Sequence, residues 1–277
     1  MNTRDIAIYL IILSVIILLI GLTQEKKVLF VMIFVLICWI GLAILLVNLQ
    51  LPLIVFPVFI YLSYVLLVYL SMFYYALSTG FTGNYNIWIK GSKRVFNTFF
   101  KVKIIGNKPR FPVIYALPNN HFSDTFELCL LPFVSEDARI VSSVRNPIIR
   151  NVIVDNLIDV NADVKGNFDN FNSSIKKCIY EEQRSVILFP EGAKARYVKK
   201  SWKTLAPLQS GTFITAYNEN IPIVPVIIEK YCSIEGFFVP GTIKIHFLEP
   251  IIPDNALSPN WLKDEYEIKI RNALLSI

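Results

Sequence analysis

Histidine is nearly absent from this chain: His121 and His246 are the only two in 277 residues. Cysteine is also scarce. Cys38, Cys129, Cys178 and Cys232 lie far apart and form no C-x-x-C pair, which excludes a disulfide framework or a zinc-ribbon site and leaves buried reduced thiols. Charge is low, at 17 % of residues, with a net of +6. That surplus is too mild for a nucleic-acid binder, but it suits an anionic membrane surface or a phosphorylated substrate. No internal repeat or low-complexity tract interrupts the chain.

What is present is apolar and unevenly spread. Hydrophobic residues make up 54 % of the chain and the mean hydropathy is +0.52. Residues 1 to 80 hold three basic side chains (Arg4, Lys26, Lys27) and two acidic ones (Asp5, Glu25), so the other 197 residues carry a net of +5. Three apolar runs fill that first part: Ile6 to Leu22, Val28 to Val47 and Leu53 to Leu77. At about 1.5 Å of helix per residue each is near or above the ~30 Å of a bilayer core, the first only marginally. The expectation is an integral membrane segment over 1–80. The positive-inside rule puts the Lys26/Lys27 loop and the polar remainder on the cytoplasmic side. Whether the runs span, or the second and third form a hairpin in one leaflet around Pro52, stays open. Residues 81–103 mix Tyr85, Trp88, Phe96, Phe99 and Phe100 with Lys90, Lys93, Arg94, Lys101 and Lys103. This is the composition of an interfacial linker, or of a domain edge.

From 104 to 277 the pattern alternates between strands and helices. Strands are predicted at Phe111–Leu117, Arg139–Val144, Leu157–Val160, Ser185–Phe189, Ile223–Ile228 and Thr242–Leu248. Helices are predicted at Thr125–Leu131, Pro147–Asp155, Asn170–Glu182, Ser210–Asn218 and Pro259–Leu275. Continuous apolar strands between helices imply an α/β fold, a mixed sheet flanked by helices, preceded by the membrane helices.

Two stretches carry candidate chemistry. In Asn120-His121-Phe122-Ser123-Asp124-Thr125-Phe126-Glu127 a histidine sits between a strand-like and a helix-like run, where an imidazole can act as a base beside a helix N-terminus. Asp124 or Glu127 would fix its tautomer, although acids three apart also form an ordinary helix cap. In Phe189-Pro190-Glu191-Gly192-Ala193-Lys194-Ala195-Arg196 a glycine follows a buried strand, and two cations follow the glycine. Gly192 would admit a phosphate close to the backbone, and Lys194 and Arg196 would neutralise it; a solvated Pro-Gly turn is the plainer reading. His246 alternates with Ile243, Ile245 and Phe247 on a strand. It has no acid or serine near it in the sequence and reads as a structural or surface residue.

Taken in order, Ile104-Ile105-Gly106, Asn120-His121-x-Ser123, Leu157-Ile158-Asp159-Val160, Phe189-Pro190-Glu191-Gly192 and Ile221-Pro222-Ile223-Val224-Pro225-Val226 resemble the glycerolipid acyltransferase family typified by 1-acyl-glycerol-3-phosphate acyltransferase. The resemblance runs from about Val102 to Pro250. It implies transfer of an acyl group from acyl-CoA or acyl-carrier protein to a glycerol hydroxyl, with no bound cofactor or metal. His121 would be the base and Asp124 or Glu127 its support. The acceptor would be bound by Asn120, Ser123, Phe189, Pro190, Glu191, Gly192, Lys194, Arg196 and Pro225. The implied partners are membrane lipids, a lysophospholipid acceptor and the thioester donor, with no nucleic acid.

The chain departs from the family pattern in three places. Phe126 stands five residues after His121, where the family has its aspartate. Val160-Asn161 stands where an arginine follows the second motif's aspartate, and Ala193-Lys194-Ala195 replaces Thr-Arg-Ser. A glycerol-3-phosphate or remodelling acyltransferase, or an inactive lipid-binding protein on the same fold, are the alternatives.

Overall fold

The computed structural model describes residues 55–118, 124–142, 156–159, 167–192, 203–229 and 241–277, with single positions at 37, 40 and 44. The chain divides into two compact units, Met1–Tyr74 and Tyr75–Ile277. The first two apolar runs lie almost wholly outside the described residues. The third coincides with the backbone of helix α1, Val55–Thr82, for which only some side chains are described. Taken over the described residues, no helix is long and apolar enough to cross a membrane.

In the second unit, residues 81–103 are more structured than their composition suggests. Asn84 caps helix α2, Tyr85–Phe99, by accepting the N–H of Asn86. α2 buries Trp88, Ile89, Val95 and Phe96, and Phe96 meets Phe133 edge-on at 6.1 Å. The aromatics of this stretch therefore serve largely as core. Lys101 and Lys103 belong to strand β1, Lys101–Ile105, at one edge of the sheet.

The other strands are β2 (Ile114–Ala116), β3 (Arg139–Ser142), β4 (Leu157–Asp159), β5 (Val186–Leu188), β6 (Ile223–Glu229) and β7 (Thr242–Phe247). They form one seven-stranded sheet in the order β1-β7-β6-β2-β5-β3-β4. β2 is central and runs parallel to both β5 and β6, while β7 is antiparallel to β6. The sheet is mixed, as expected. The central strands are apolar throughout because both faces are covered: every residue of β2 and β5 is buried. β7 instead alternates, burying Ile243, Ile245 and Phe247 and leaving Thr242, Lys244 and His246 half-covered.

The remaining described helices are α3 (Asp124–Val134), α4 (Asn167–Lys176, continued by a π-helical turn over Lys177–Glu181), α5 (Ser210–Asn218) and α6 (Pro259–Ser276). Proline at its first position suits α6, since that N–H has no intrahelical acceptor. α6 buries Leu262, Tyr266, Ile270 and Leu274, four residues apart, in a core with Phe213 of α5 and with Ile114, Ala116, Val186, Leu188, Ile223 and Ile227 of the sheet. Each buried aliphatic of that stripe contributes about 1.5–3 kcal/mol, against about 0.3–0.5 for its exposed Glu267–Arg271 pair. Core contact, not surface charge, holds α6 down.

Candidate active site at the carboxyl edge of the central strands

Strands β2, β5 and β6 run in one direction; the carboxyl ends of β2 and β5 lie side by side, level with Pro225 inside the longer β6. Ala116, the last residue of β2, is paired with Leu188 of β5 on one side and Pro225 of β6 on the other. The N–H of Leu117 continues the ladder to the oxygen of Leu188 at 3.0 Å. In open α/β sheets, ligand groups collect beyond strand ends where the order reverses, and β2 is such a position here.

The segment leaving β2 passes the buried Pro118 and re-enters the described residues at Asp124, where α3 begins. Asn120, His121 and Ser123 lie outside the described residues, within this strand-to-helix connection. Asp124 and Glu127 fall one turn apart in the first turn of α3, with Phe126 between them. Acids there favour the positive end of the helix. One conservative pair of variants separates them. If one carboxylate supports His121, Asp124→Asn and Glu127→Gln differ by at least about tenfold in turnover. Equal, wild-type rates in both would remove the supporting carboxylate from the account.

The segment leaving β5 is a tight turn. The N–H of Gly192 donates to the oxygen of Phe189 at 3.0 Å, and Gly192 has φ +66°. An added Cβ would meet only the side chain of Gln209, Cγ at 3.4 Å and Cδ at 4.0 Å, so backbone conformation, not crowding, makes this a glycine position. Pro190 accepts the N–H of Gln209 at 2.8 Å, and Glu191 Oε2 accepts the N–H of Ala206 at 2.8 Å. Glu191 is only 1 % exposed. The carboxylate is turned inward on a backbone donor, where it fastens the turn. Phe189 is half-buried and Pro190 buried, while Lys194 and Arg196 follow outside the described residues.

The Leu157–Asp159 motif is not part of this grouping. β4 lies at the far edge of the sheet, three strands from β2, or about 14 Å at the usual strand spacing. The structure thus sets the end of β2 beside the end of β5 and beside Pro225 of β6, and leaves β4, with Asp159, apart.

Two residues escaped the sequence reading. Tyr266 is fully buried on α6, with its hydroxyl 3.4 Å from the oxygen of Ala116. Burial first, and the charge of Glu191 second, push its phenol well above the usual value, so it stays a protonated donor. In sequence it is one more member of an i, i+4 stripe. His246 has an acid partner after all: its Nε2 lies 2.9 Å from Glu229 Oε2, and Lys244 Nζ lies 3.0 Å from Glu229 Oε1. The antiparallel register of β6 and β7 creates this contact across 17 residues.

Burial pushes the Glu229 carboxyl up, but the hydrogen bonds and charges of His246 and Lys244 outweigh it and hold the carboxyl below its usual 4.5. A depressed folded-state pKa stabilises above the unfolded value and loses that contribution as pH falls through the folded one. Thermal melts of wild type and Glu229→Gln should therefore differ at pH 6, and the gap should close as the pH falls below 4.5 and through the depressed folded-state value. A gap that persists or widens in acid would contradict the assignment.

No protein-family model matches the chain, and no curated protein matches it significantly. Among solved structures it is similar to the 1-acyl-sn-glycerophosphate (LPA) acyltransferase PlsC from Thermotoga maritima. That likeness has a TM-score of 0.57 and 19 % identity, and it covers 76 % of this chain and 95 % of that one. The shared architecture spans nearly the whole of the solved protein, and this chain has the α/β fold of that acyltransferase.

Proposed function

We propose that this chain is a membrane-bound O-acyltransferase. It moves a fatty acyl group from acyl-CoA or acyl-carrier protein to the free hydroxyl of a lysophospholipid such as 1-acyl-glycerol 3-phosphate. The observation that supports the reading is the pairing of Ala116 with Leu188 and Pro225, which sets three of the motif-linked strands side by side at the centre of the sheet. The likeness in fold to an LPA acyltransferase supports it.

In this mechanism His121 takes the proton of the acceptor hydroxyl as that oxygen attacks the thioester carbonyl. The tetrahedral oxyanion collapses, the carbon–sulfur bond breaks, and the proton passes from the imidazolium to the departing thiolate. Base catalysis supplies about 10²- to 10⁴-fold, so backbone N–H groups must also receive the oxyanion. Asp124 or Glu127 holds the imidazole. Asn120 and Ser123 line the same connection. Lys194 and Arg196, delivered by the turn that Glu191 fastens, bind the acceptor phosphate and orient its hydroxyl. The three apolar runs in residues 1 to 80 keep this site beside its lipid substrate, on the cytoplasmic face of a cell inner membrane or of the endoplasmic reticulum.

Lys194→Ala loses a charge-assisted contact made equally in ground and transition states. It should raise KM for a phosphorylated acceptor about tenfold with little change in kcat; an unchanged KM would remove Lys194 from the phosphate site. The reading as a whole is tested by incubating the detergent-purified protein with labelled acyl thioester and a panel of acceptors, followed by mass spectrometry of the lipids. Appearance of the diacyl product ranks the acceptors, including glycerol 3-phosphate and lysophospholipids with larger headgroups. Phe126, an apolar residue at the family's acid position, favours one other reading, a lipid-binding protein without activity. No product from any donor and acceptor would support that reading.

A further inference from the structure

The amino ends of β7 and β1 flank the carboxyl end of β6. β7 runs antiparallel to β6, so Lys244 pairs with Glu229, the last residue of β6; β1 runs parallel to β7, so Lys103 pairs with Lys244 and Lys101 with Thr242. Ladder partners share a face of the sheet, and every second residue of a strand returns to it. Lys101, Lys103, Thr242, Lys244, His246 and Glu229 therefore occupy one face, the one on which Ile223 and Ile227 join α6 in the core. Among the described residues that core takes none from β7 or β1. There the face is open: Lys101 and Lys103 are exposed and Lys244 is half-covered.

The charge on this ledge is one-sided. Both oxygens of Glu229 are taken, by Lys244 Nζ at 3.0 Å and His246 Nε2 at 2.9 Å, and among the described residues Lys101 and Lys103 have no ion pair. Residues 82–123 hold seven cations and no acid, so no neighbour in sequence neutralises them. Lys103 and Lys244 stand side by side at the strand spacing of about 4.8 Å, and Lys101 lies about 7 Å farther along the same face. Like charges paired on a ladder cost stability until an anion lies over them.

We infer that Lys101, Lys103 and Lys244 bind the phosphate groups of the acyl donor, a coenzyme A thioester. The inference rests on the acyltransferase reading for the identity of its ligand. The three cations spread wider than a single phosphate, which suits a carrier with a diphosphate and a third phosphate at its nucleotide end. Lys244 is two strands from β2 and level with Glu229, four residues beyond Pro225, so it lies about 16 Å from the end of β2. In that carrier the extended pantetheine arm separates the thioester from the phosphates and covers this distance. One molecule then reaches both the ledge and the end of the central strand.

The test uses the full-length protein in neutral detergent, as wild type, the double variant Lys101→Gln with Lys103→Gln, and Lys90→Gln. Initial rates are measured with acyl-CoA and with the acyl-pantetheine, which carries the same thioester without phosphates. The double variant should raise KM for acyl-CoA about tenfold, leave kcat and KM for lysophosphatidic acid within about twofold, and leave KM for acyl-pantetheine unchanged. Added salt should shrink the difference, because the site is open to solvent. Lys90→Gln removes an exposed cation of α2, away from the ledge, and should match wild type. An unchanged KM for acyl-CoA would overturn the inference, and so would an equal rise with both donors. A loss seen only in nanodiscs containing phosphatidylglycerol would overturn it too, since the ledge would then serve a lipid surface.

If the wild type transfers no acyl group at all, the acyltransferase reading fails, and calorimetry with coenzyme A itself still decides the site. Binding about tenfold weaker in the double variant than in wild type upholds it. Equal affinity, or no binding to either, overturns it. Lys244 is kept in both variants because it also partners Glu229, whereas the two lysines replaced are exposed and leave the core untouched.

Discussion

His121→Ala is expected to reduce acceptor-dependent acyl transfer by about 10²- to 10⁴-fold, the usual contribution of a general base. The connection that carries it begins after the last ladder bond of the central strand, at Leu117, so the substitution removes no described ladder bond of the sheet. Membrane extraction, melting temperature and exchange protection over β2, β5 and β6 should match wild type. KM for the acceptor should change little, because the proposed phosphate-binding residues, Lys194 and Arg196, follow a different strand in the sequence. A drop in kcat alone identifies a group acting in the transition state. A drop accompanied by loss of folded protein would instead make His121 structural, and wild-type turnover would end its role as the base.

The largest effect on stability is expected at Gly106, which closes β1 where it meets the end of β7. It has φ +86°, and a Cβ there would lie 2.1 Å from the oxygen of Phe247 and 3.1 Å from its carbonyl carbon. Both atoms are backbone in a paired strand, so neither can swing aside as a side chain could. Gly106→Ala therefore combines about 1–2 kcal/mol of left-handed strain with a displacement of the β1–β7 pair, for a total of about 3 kcal/mol or more. In a unit of this size that lowers the melting temperature by about 6–12 °C.

Gly192→Ala is the control, since there φ is +66° but the nearest atom is a side-chain carbon at 3.4 Å. It should lose only the conformational part, about 1–2 kcal/mol. Equal losses at the two glycines would mean that the close approach to Phe247 has little weight.

Much of the sheet was legible because its central strands are covered on both faces. β2, β5 and β6 appear as uninterrupted apolar runs, and β7 as strict alternation. The helix predicted at Pro259–Leu275 was equally plain, and α6 buries Leu262, Tyr266, Ile270 and Leu274 at helical spacing. β1 was not, because an edge strand buries little: four of its five residues are exposed, and its lysines and isoleucines look like a membrane-facing surface. α2 was hidden for the same reason, since aromatics that face a core and aromatics that face headgroups have the same composition.

In the candidate site, residue types and their order pointed to stretches along β2, β5 and β6, strands that the register sets side by side. Roles that depend on non-local contact stayed out of reach. Glu191 reads in sequence as a ligand group beside a glycine, yet it accepts a backbone N–H from Ala206, 15 residues away. Tyr266 reaches Ala116 across 150 residues, and the Glu229–His246 contact exists only through strand pairing. A one-dimensional pattern records which face of an element is apolar. It does not record which polar atom that face brings to a neighbour.

The measurement that bears most directly on the central claim is thiol release from acyl-CoA and from acyl-carrier protein by the purified full-length protein, with and without lysophosphatidic acid. The account predicts slow release without acceptor and fast release with it, one thiol for each diacyl product. Release that ignores the acceptor would make the protein a thioesterase. No release from either donor in a folded sample would contradict acyl transfer at this site.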